Sequence, residues 1–226
     1  MKSTRIISLV AGVLYLLTFI SIPTLALYGP VHEPNYMISL GPDTPIIVGA
    51  VMEIIVALAG IGTAVILFPV VKRQNEGVAL GFVGSRILEG ATIFAGVVCL
   101  LSVVALRQSG GGANALVAGR VLVAMYDKTF LIGQSLMPAV NALLLGSLLY
   151  QSRLVPRVLP ILGLIGAPLL IAAQTAIMFG LIGRLSPLAA IAALPIALWE
   201  FSLGVWLTVK GFNPSEIEFK ADKTLN

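Results

Sequence analysis

Charge is what this sequence has least of. Asp, Glu, Lys and Arg make up 11% of its 226 residues, and 58% are hydrophobic; soluble domains carry roughly 25% charged residues. Almost none of the chain is suited to face water, which excludes an ordinary soluble enzyme or binding module. Cysteine and histidine are nearly absent, with one of each, Cys99 and His32. A single cysteine excludes an intramolecular disulfide and any Cys-based metal cluster. A single histidine removes the Ser-His-Asp, HExxH and multi-His arrangements. No metal and no cofactor are expected. Asn213-Pro214-Ser215 is not a glycosylation acceptor, because Pro stands in the middle, and residue 2 is not the Gly that myristoylation needs. The formal charge of +4 does not point to nucleic acid, because no basic face with interleaved aromatics occurs. Lys and Arg lie instead in short loops between apolar runs, as membrane topology requires.

Six apolar runs are long enough to cross a hydrocarbon core of about 30 Å, which takes about 20 helical residues. They cover Ile6 to Tyr28, Pro45 to Val71, Val78 to Leu106, Thr129 to Tyr150, Val158 to Ile182 and Pro187 to Val209. The expected fold is all-α: a polytopic membrane bundle over residues 1–212, with a flexible cytoplasmic tail over 213–226. The first run is longer than a signal-peptide core and no A-x-A site closes it, so it reads as a span. With the N-terminus inside, nine Lys and Arg fall on the inner side and four (Arg107, Arg120, Lys128, Arg184) on the outer side. That bias predicts both termini in the cytoplasm. The loop from Gly29 to Thr44 has no Lys or Arg. Residues 115–126 are apolar but too short to span. They follow the flexible break Ser109-Gly110-Gly111-Gly112 and either lie along the interface or extend span four outward. Pro138, Pro168 and Pro195 should kink their spans, and Gly77/Gly81 and Gly163/Gly166 permit close helix contact.

Against this background three carboxylates stand out. Glu53, Glu89 and Glu200 lie inside spans two, three and six, where a charge is costly and usually pairs or serves a site. Glu89 is roughly 16 Å from the inner end of its span at 1.5 Å per residue, near the midplane. Arg86 lies three residues before it, on the same helix face. Glu53 and Glu200 have no local cation, so each needs a partner from another helix or carries a proton. Gln134 and Asn141 on span four and Gln174 on span five add polar groups at depth, and Asp127 stands at the outer mouth of span four. Glu53, Glu89 and Glu200 are the candidate catalytic residues. Arg86, Asp127, Gln134, Asn141 and Gln174 are the candidate ligand contacts, around one cavity kept open partly by the Pro195 kink.

Three stretches carry a resemblance. They are Ala79-Leu80-Gly81-Phe82-Val83-Gly84-Ser85-Arg86-Ile87-Leu88-Glu89-Gly90-Ala91, the run from Leu143 to Arg157 with its Tyr150-x-Ser152-Arg153-x-x-Pro156-Arg157 turn, and Trp199-Glu200-Phe201 with Trp206 to Asn213. Together they resemble the prokaryotic multi-pass membrane family called domain of unknown function 4386, in order from the first span to Asn213. The resemblance implies a plasma-membrane topology and an embedded Arg86/Glu89 pair, and no substrate. The residues themselves leave three readings. One is a pocket that binds a lipophilic small molecule or converts it, for example by acid-initiated isomerisation or cyclisation of a prenyl-type lipid. The others are a proton-coupled transporter, for which six spans suggest a homodimer, and a non-catalytic partner subunit. Whether the chain is an enzyme stays open.

Overall fold

The computed structural model describes residues 2–33, 35–39, 41–110 and 112–214, and its regular structure is helical, with no strand among the described residues. The helices are α1 (Lys2–Thr18), the single turn α2 (Thr24–Leu27), α3 (Thr44–Val71), α4 (Glu76–Gln108), α5 (Gly112–Phe130), α6 (Met137–Ser152), α7 (Val158–Met178) and α8 (Pro187–Val209). Six stretches among the described residues are long and apolar enough to cross a membrane: Thr4–Leu27, α3, α4, Asn114–Ser152, α7 and α8. The protein is a multi-pass membrane helix bundle.

Two spans differ from their sequence expectation. The first is broken: a 3-10 turn at Phe19–Ser21 and then Pro23 separate α1 from α2, because Pro lacks the N–H that would continue the helix. The fourth does not begin at Thr129. α5 runs through a π-helical turn, Leu131–Leu136, into α6, so residues 115–126 extend span four and do not lie flat. Packing decides this. Tyr126 on α5 is 1% exposed, and its ring crosses so close to Gly96 on α4 that a Cβ there would sit 3.2 Å away. The π turn comes just before Pro138, whose ring cannot accept a regular helical register. Gly110 and Gly112, at φ 65° and 62°, reverse the chain between α4 and α5, a conformation only glycine adopts without strain. Asn75 caps α4 by accepting from the Val78 amide at 3.1 Å.

The spans pack as a ring in chain order: α1 on α3, α3 on α4, α4 on α5 and α6, α6 on α7, α7 on α8, and α8 back on α1. Leu58, Leu80, Val98 and Ile165 on its outside are each more than half exposed, an apolar belt suited to lipid. At the end where α1 starts and α8 stops, here the basic end, Tyr15, Leu67, Phe82, Leu145, Trp199 and Leu203 form a closed core. The described residues between 29 and 43 fold over the opposite, loop end, where Tyr28, Val31, Tyr36, Ile46, Leu100 and Tyr126 form a second core. Arg107 ties this cover down: it pairs with Asp43 and donates to the carbonyl of Ser39 at 2.6 Å. Burial pushes the Asp43 carboxyl up, but hydrogen bonds from Gln108, Tyr36 and Arg107 outweigh it and hold the group below its ordinary range.

Gly163 and Gly166 do permit close contact. A Cβ would come within 2.8 Å of the Trp199 ring at the first and 2.9 Å of Pro195 at the second. Gly77 and Gly81 meet nothing nearer than 3.5 Å and 3.7 Å and are not tight helix contacts. From residue 215 onward the expected tail over 213–226, with Lys220 and Lys223, lies outside the described residues.

Candidate functional site

At the centre of the ring, between the two cores, lies a cavity of about 250 Å³ to which all six spans contribute. Its polar wall is an ion triad. Arg86 on α4 donates from Nη1 to Glu89 Oε2 at 2.9 Å and from Nη2 to Glu200 Oε1 on α8 at 2.8 Å. Glu200 therefore finds its cation on another helix, 114 residues away in the chain. The guanidinium lies over the rings of Tyr15 and Phe82, 5.3 and 5.8 Å from their centroids, close enough for cation–π attraction. Asn141 supports the triad from behind: its amide donates to Glu89 Oε2 at 2.7 Å, and the Ser85 hydroxyl donates to Asn141 Oδ1. Every member of this chain is buried or nearly so, which is how polar groups survive in an apolar bundle.

Glu53 lies apart from the triad. It is 0% exposed and does not line the cavity. Its Oε1 accepts from the Tyr126 hydroxyl at 3.2 Å and from Gln134 Nε2 at 2.9 Å. Its Oε2 and the Tyr28 hydroxyl are buried without hydrogen-bond partners among the described residues. No described Lys or Arg pairs with it. Gln134 links the two regions, since it holds Glu53 and lines the cavity. Gln134 and Asn141, seven residues apart, were expected on one face. The π turn holds Gln134 in a wider register, and the two amides serve different carboxylates. Gln174, 5% exposed, lines the cavity, and its amide oxygen has no partner.

The cavity thus gathers Arg86, Glu89, Gln134, Gln174 and Glu200, with Asn141 behind the wall and Glu53 and Asp127 elsewhere. Pro195 packs on Gly166, and the proline on the cavity wall is Pro138. Sequence reasoning missed Tyr15, Tyr28, Tyr126 and the break at Thr18 to Ile22, which closes one side of the cavity. Pro23 was a signal for the break. Tyrosine hydroxyls inside apolar runs, which need polar partners when buried, were a signal for the others.

The family profile described as Domain of unknown function (DUF4386) matches residues 10–211. The chain belongs to the DUF4386 family. No curated protein and no solved structure matches it. The matched region of this DUF4386 chain takes in the whole triad and the Tyr150 to Arg157 turn.

In this DUF4386 chain Asp127 joins three segments at the loop end. It accepts from Arg184 of the α7–α8 connection and lies 3.1 Å from His32 Nε2 of the first loop. The bond to Asp127 raises the His32 imidazole above its ordinary value of 6.5, partial burial opposing it. A raised folded-state value means that the stabilisation is fully present below about pH 6.5 and is lost as pH rises through the raised value. The melting temperature of the wild type should exceed that of His32→Gln at acid pH, with the gap closing at alkaline pH. A gap that is constant or grows with pH would show that the contact does not depend on the imidazolium.

Proposed function

We propose that this protein binds a lipophilic small molecule inside the bilayer, with the molecule's polar head at the Arg86–Glu89–Glu200 triad and its apolar part in the central cavity. The observation that carries this reading is a cavity that combines the triad and the polar side chains of Gln134, Ser135 and Gln174 with apolar sides formed by Val56, Ile93, Leu170 and Ile196. Its volume of about 250 Å³ lies just below the range for small-molecule sites, roughly 300–1,000 Å³. Ile22 and Ala197 line it and are exposed, which gives a molecule dissolved in lipid a lateral way in. Binding is better supported than acid-initiated conversion. Both carboxylates on the wall are engaged by Arg86, and the carboxyl without a cation, Glu53, is off the wall. Ala193→Trp, which fills the cavity from α8, tests this. Mass spectrometry of material extracted from purified protein should find a hydrophobic compound with the wild type and several-fold less with the variant at equal melting temperature. Equal amounts would overturn the reading.

Proton-linked transport has one observation in its favour. Glu53 lacks a cation and touches the cavity lining through Gln134, and an embedded carboxyl of that kind is suited to carry a proton.

The membrane we assign is the prokaryotic plasma membrane, with the basic end in the cytoplasm, since Arg5, Lys72, Arg73, Arg153, Arg157 and Lys210 gather there. A membrane-impermeant thiol reagent on intact cells should label a cysteine introduced at Glu33 and spare one at Lys72, while Cys99, 6% exposed, stays silent. The reverse pattern would invert the topology.

A further inference from the structure

The central cavity is unbalanced in two respects. One guanidinium faces two carboxylates, so with both ionised one negative charge in an apolar surrounding has no counter-ion from the described residues. The cavity's buried acceptors are also incompletely paired. Arg86 Nη1 and Nη2 are engaged by Glu89 and Glu200, and the Gln134 amide donates to Glu53. Arg86 Nε, a buried donor without a partner, belongs to the guanidinium covered by Tyr15 and Phe82. On the acceptor side, Glu200 is bound to Arg86 through Oε1, and its side chain is 15% exposed. Gln174, with 5% exposure, contributes an amide oxygen that no group among the described residues satisfies. A buried acceptor left unpaired is destabilising, and an unbalanced buried charge more so. Both deficits are met by one chemical group, a cation that donates several hydrogen bonds.

We infer that the cavity takes a lipophilic primary amine, whose ammonium head donates to Glu200 and to the Gln174 amide oxygen. An ammonium carries three donors and no acceptor, which matches oxygens on the wall, and its single positive charge neutralises the triad. The hydrocarbon chain lies along Val56, Ile93 and Leu170 towards Ile22 and the lipid. A carboxylate head would add charge of the sign already in excess. A hydroxyl head would satisfy Gln174 and leave the charge uncompensated. A quaternary ammonium would supply the charge and no N–H. This assignment rests on the cavity being a site for lipophilic molecules.

The test uses the full-length protein in nanodiscs of zwitterionic lipid, with empty nanodiscs as the partition baseline. Four probes of equal chain length are titrated: dodecylamine, dodecanol, dodecanoate and dodecyltrimethylammonium. Dodecylamine should bind at one per chain and about tenfold or more tighter than the others, the difference expected for a charge-assisted hydrogen bond. Glu200→Gln keeps the shape and an oxygen for Arg86, and should abolish the preference for amine over alcohol. Gln174→Met keeps the volume without the acceptor and should weaken dodecylamine and dodecanol alike while leaving dodecyltrimethylammonium, which donates no hydrogen bond, unchanged; it also stands in if Glu200→Gln fails to fold. Dodecanol binding as tightly as dodecylamine would overturn the amine assignment and leave the lipophilic site standing, as would a preference for dodecanoate. Equal binding of the trimethylammonium probe would overturn the N–H donors. No saturable binding of any probe would overturn both the amine and the site.

Discussion

Arg86→Ala should lower the unfolding free energy by about 3–5 kcal/mol, the usual cost of removing one partner from a buried ion pair. The guanidinium is 3% exposed and is the only charged group that pairs with Glu89 and Glu200 among the described residues. Its removal leaves two carboxylates close together inside an apolar ring. Either both stay charged and repel, or they take up protons. Arg157→Ala is the control. Arg157 is exposed and stacks on the Tyr150 ring at 4.9 Å, and surface changes of this kind usually stay within about 0.5 kcal/mol. Denaturant titration in detergent micelles reads the difference. The charge origin has its own signature: Arg86→Met combined with Glu89→Gln and Glu200→Gln should recover much of the loss, because no uncompensated charge remains. Equal loss in Arg86→Ala and Arg157→Ala would show that Arg86 does not hold the bundle together.

Gly12→Leu should be comparably damaging, for a steric reason. A Cβ on Gly12 would lie 2.6 Å from the Thr208 amide nitrogen and 2.7 Å from the Gly204 carbonyl oxygen. These are backbone atoms and cannot swing aside. The seam between α1 and α8 closes the ring, and Arg5 laces its basic end by donating to the carbonyls of Leu207, Thr208 and Val209 at 3.0, 2.7 and 3.2 Å. Membrane helices attract mainly through close backbone approach at small residues. Overpacking costs typically about 1–3 kcal/mol and sometimes more; a whole isobutyl group against backbone belongs at the top of that range. Gly84→Leu makes the comparison clean, since nothing lies within 4 Å of a Cβ there. Thermal unfolding in detergent should show a large drop for Gly12→Leu and almost none for Gly84→Leu. Similar melting temperatures would mean that the α1–α8 seam is not the tight one.

The class of this protein was readable from the chain alone. Composition and run length are local properties, and a run of apolar residues has few ways to satisfy its backbone except as a spanning helix. The Arg86–Glu89 contact was readable for the same reason, because three residues along a helix is a fixed distance. That α3 and α4 are neighbours was readable from the short connection at 72–77, which leaves no room for another element between them. What the chain did not reveal depends on which helix faces which. Glu53 and Glu200 look alike in the sequence, each a lone carboxylate in an apolar run. The closing of the ring brings Glu200 to Arg86 from 114 residues away and leaves Glu53 with the Tyr126 hydroxyl and an amide. Asp127 stood at the mouth of span four as a candidate ligand contact, and the fold engages it with His32 and Arg184 instead. Residues 115–126 suited an interfacial helix or an extension equally well until Tyr126 met Gly96 on α4. Periodicity and cost of burial are written residue by residue, so the sequence determines that there is a membrane bundle with charges inside it. Pairing across helices depends on rotation and close approach, which small residues such as Gly12, Gly96 and Gly163 permit only when a partner is there, so the tertiary structure alone decides which carboxyl is paired and which faces the cavity.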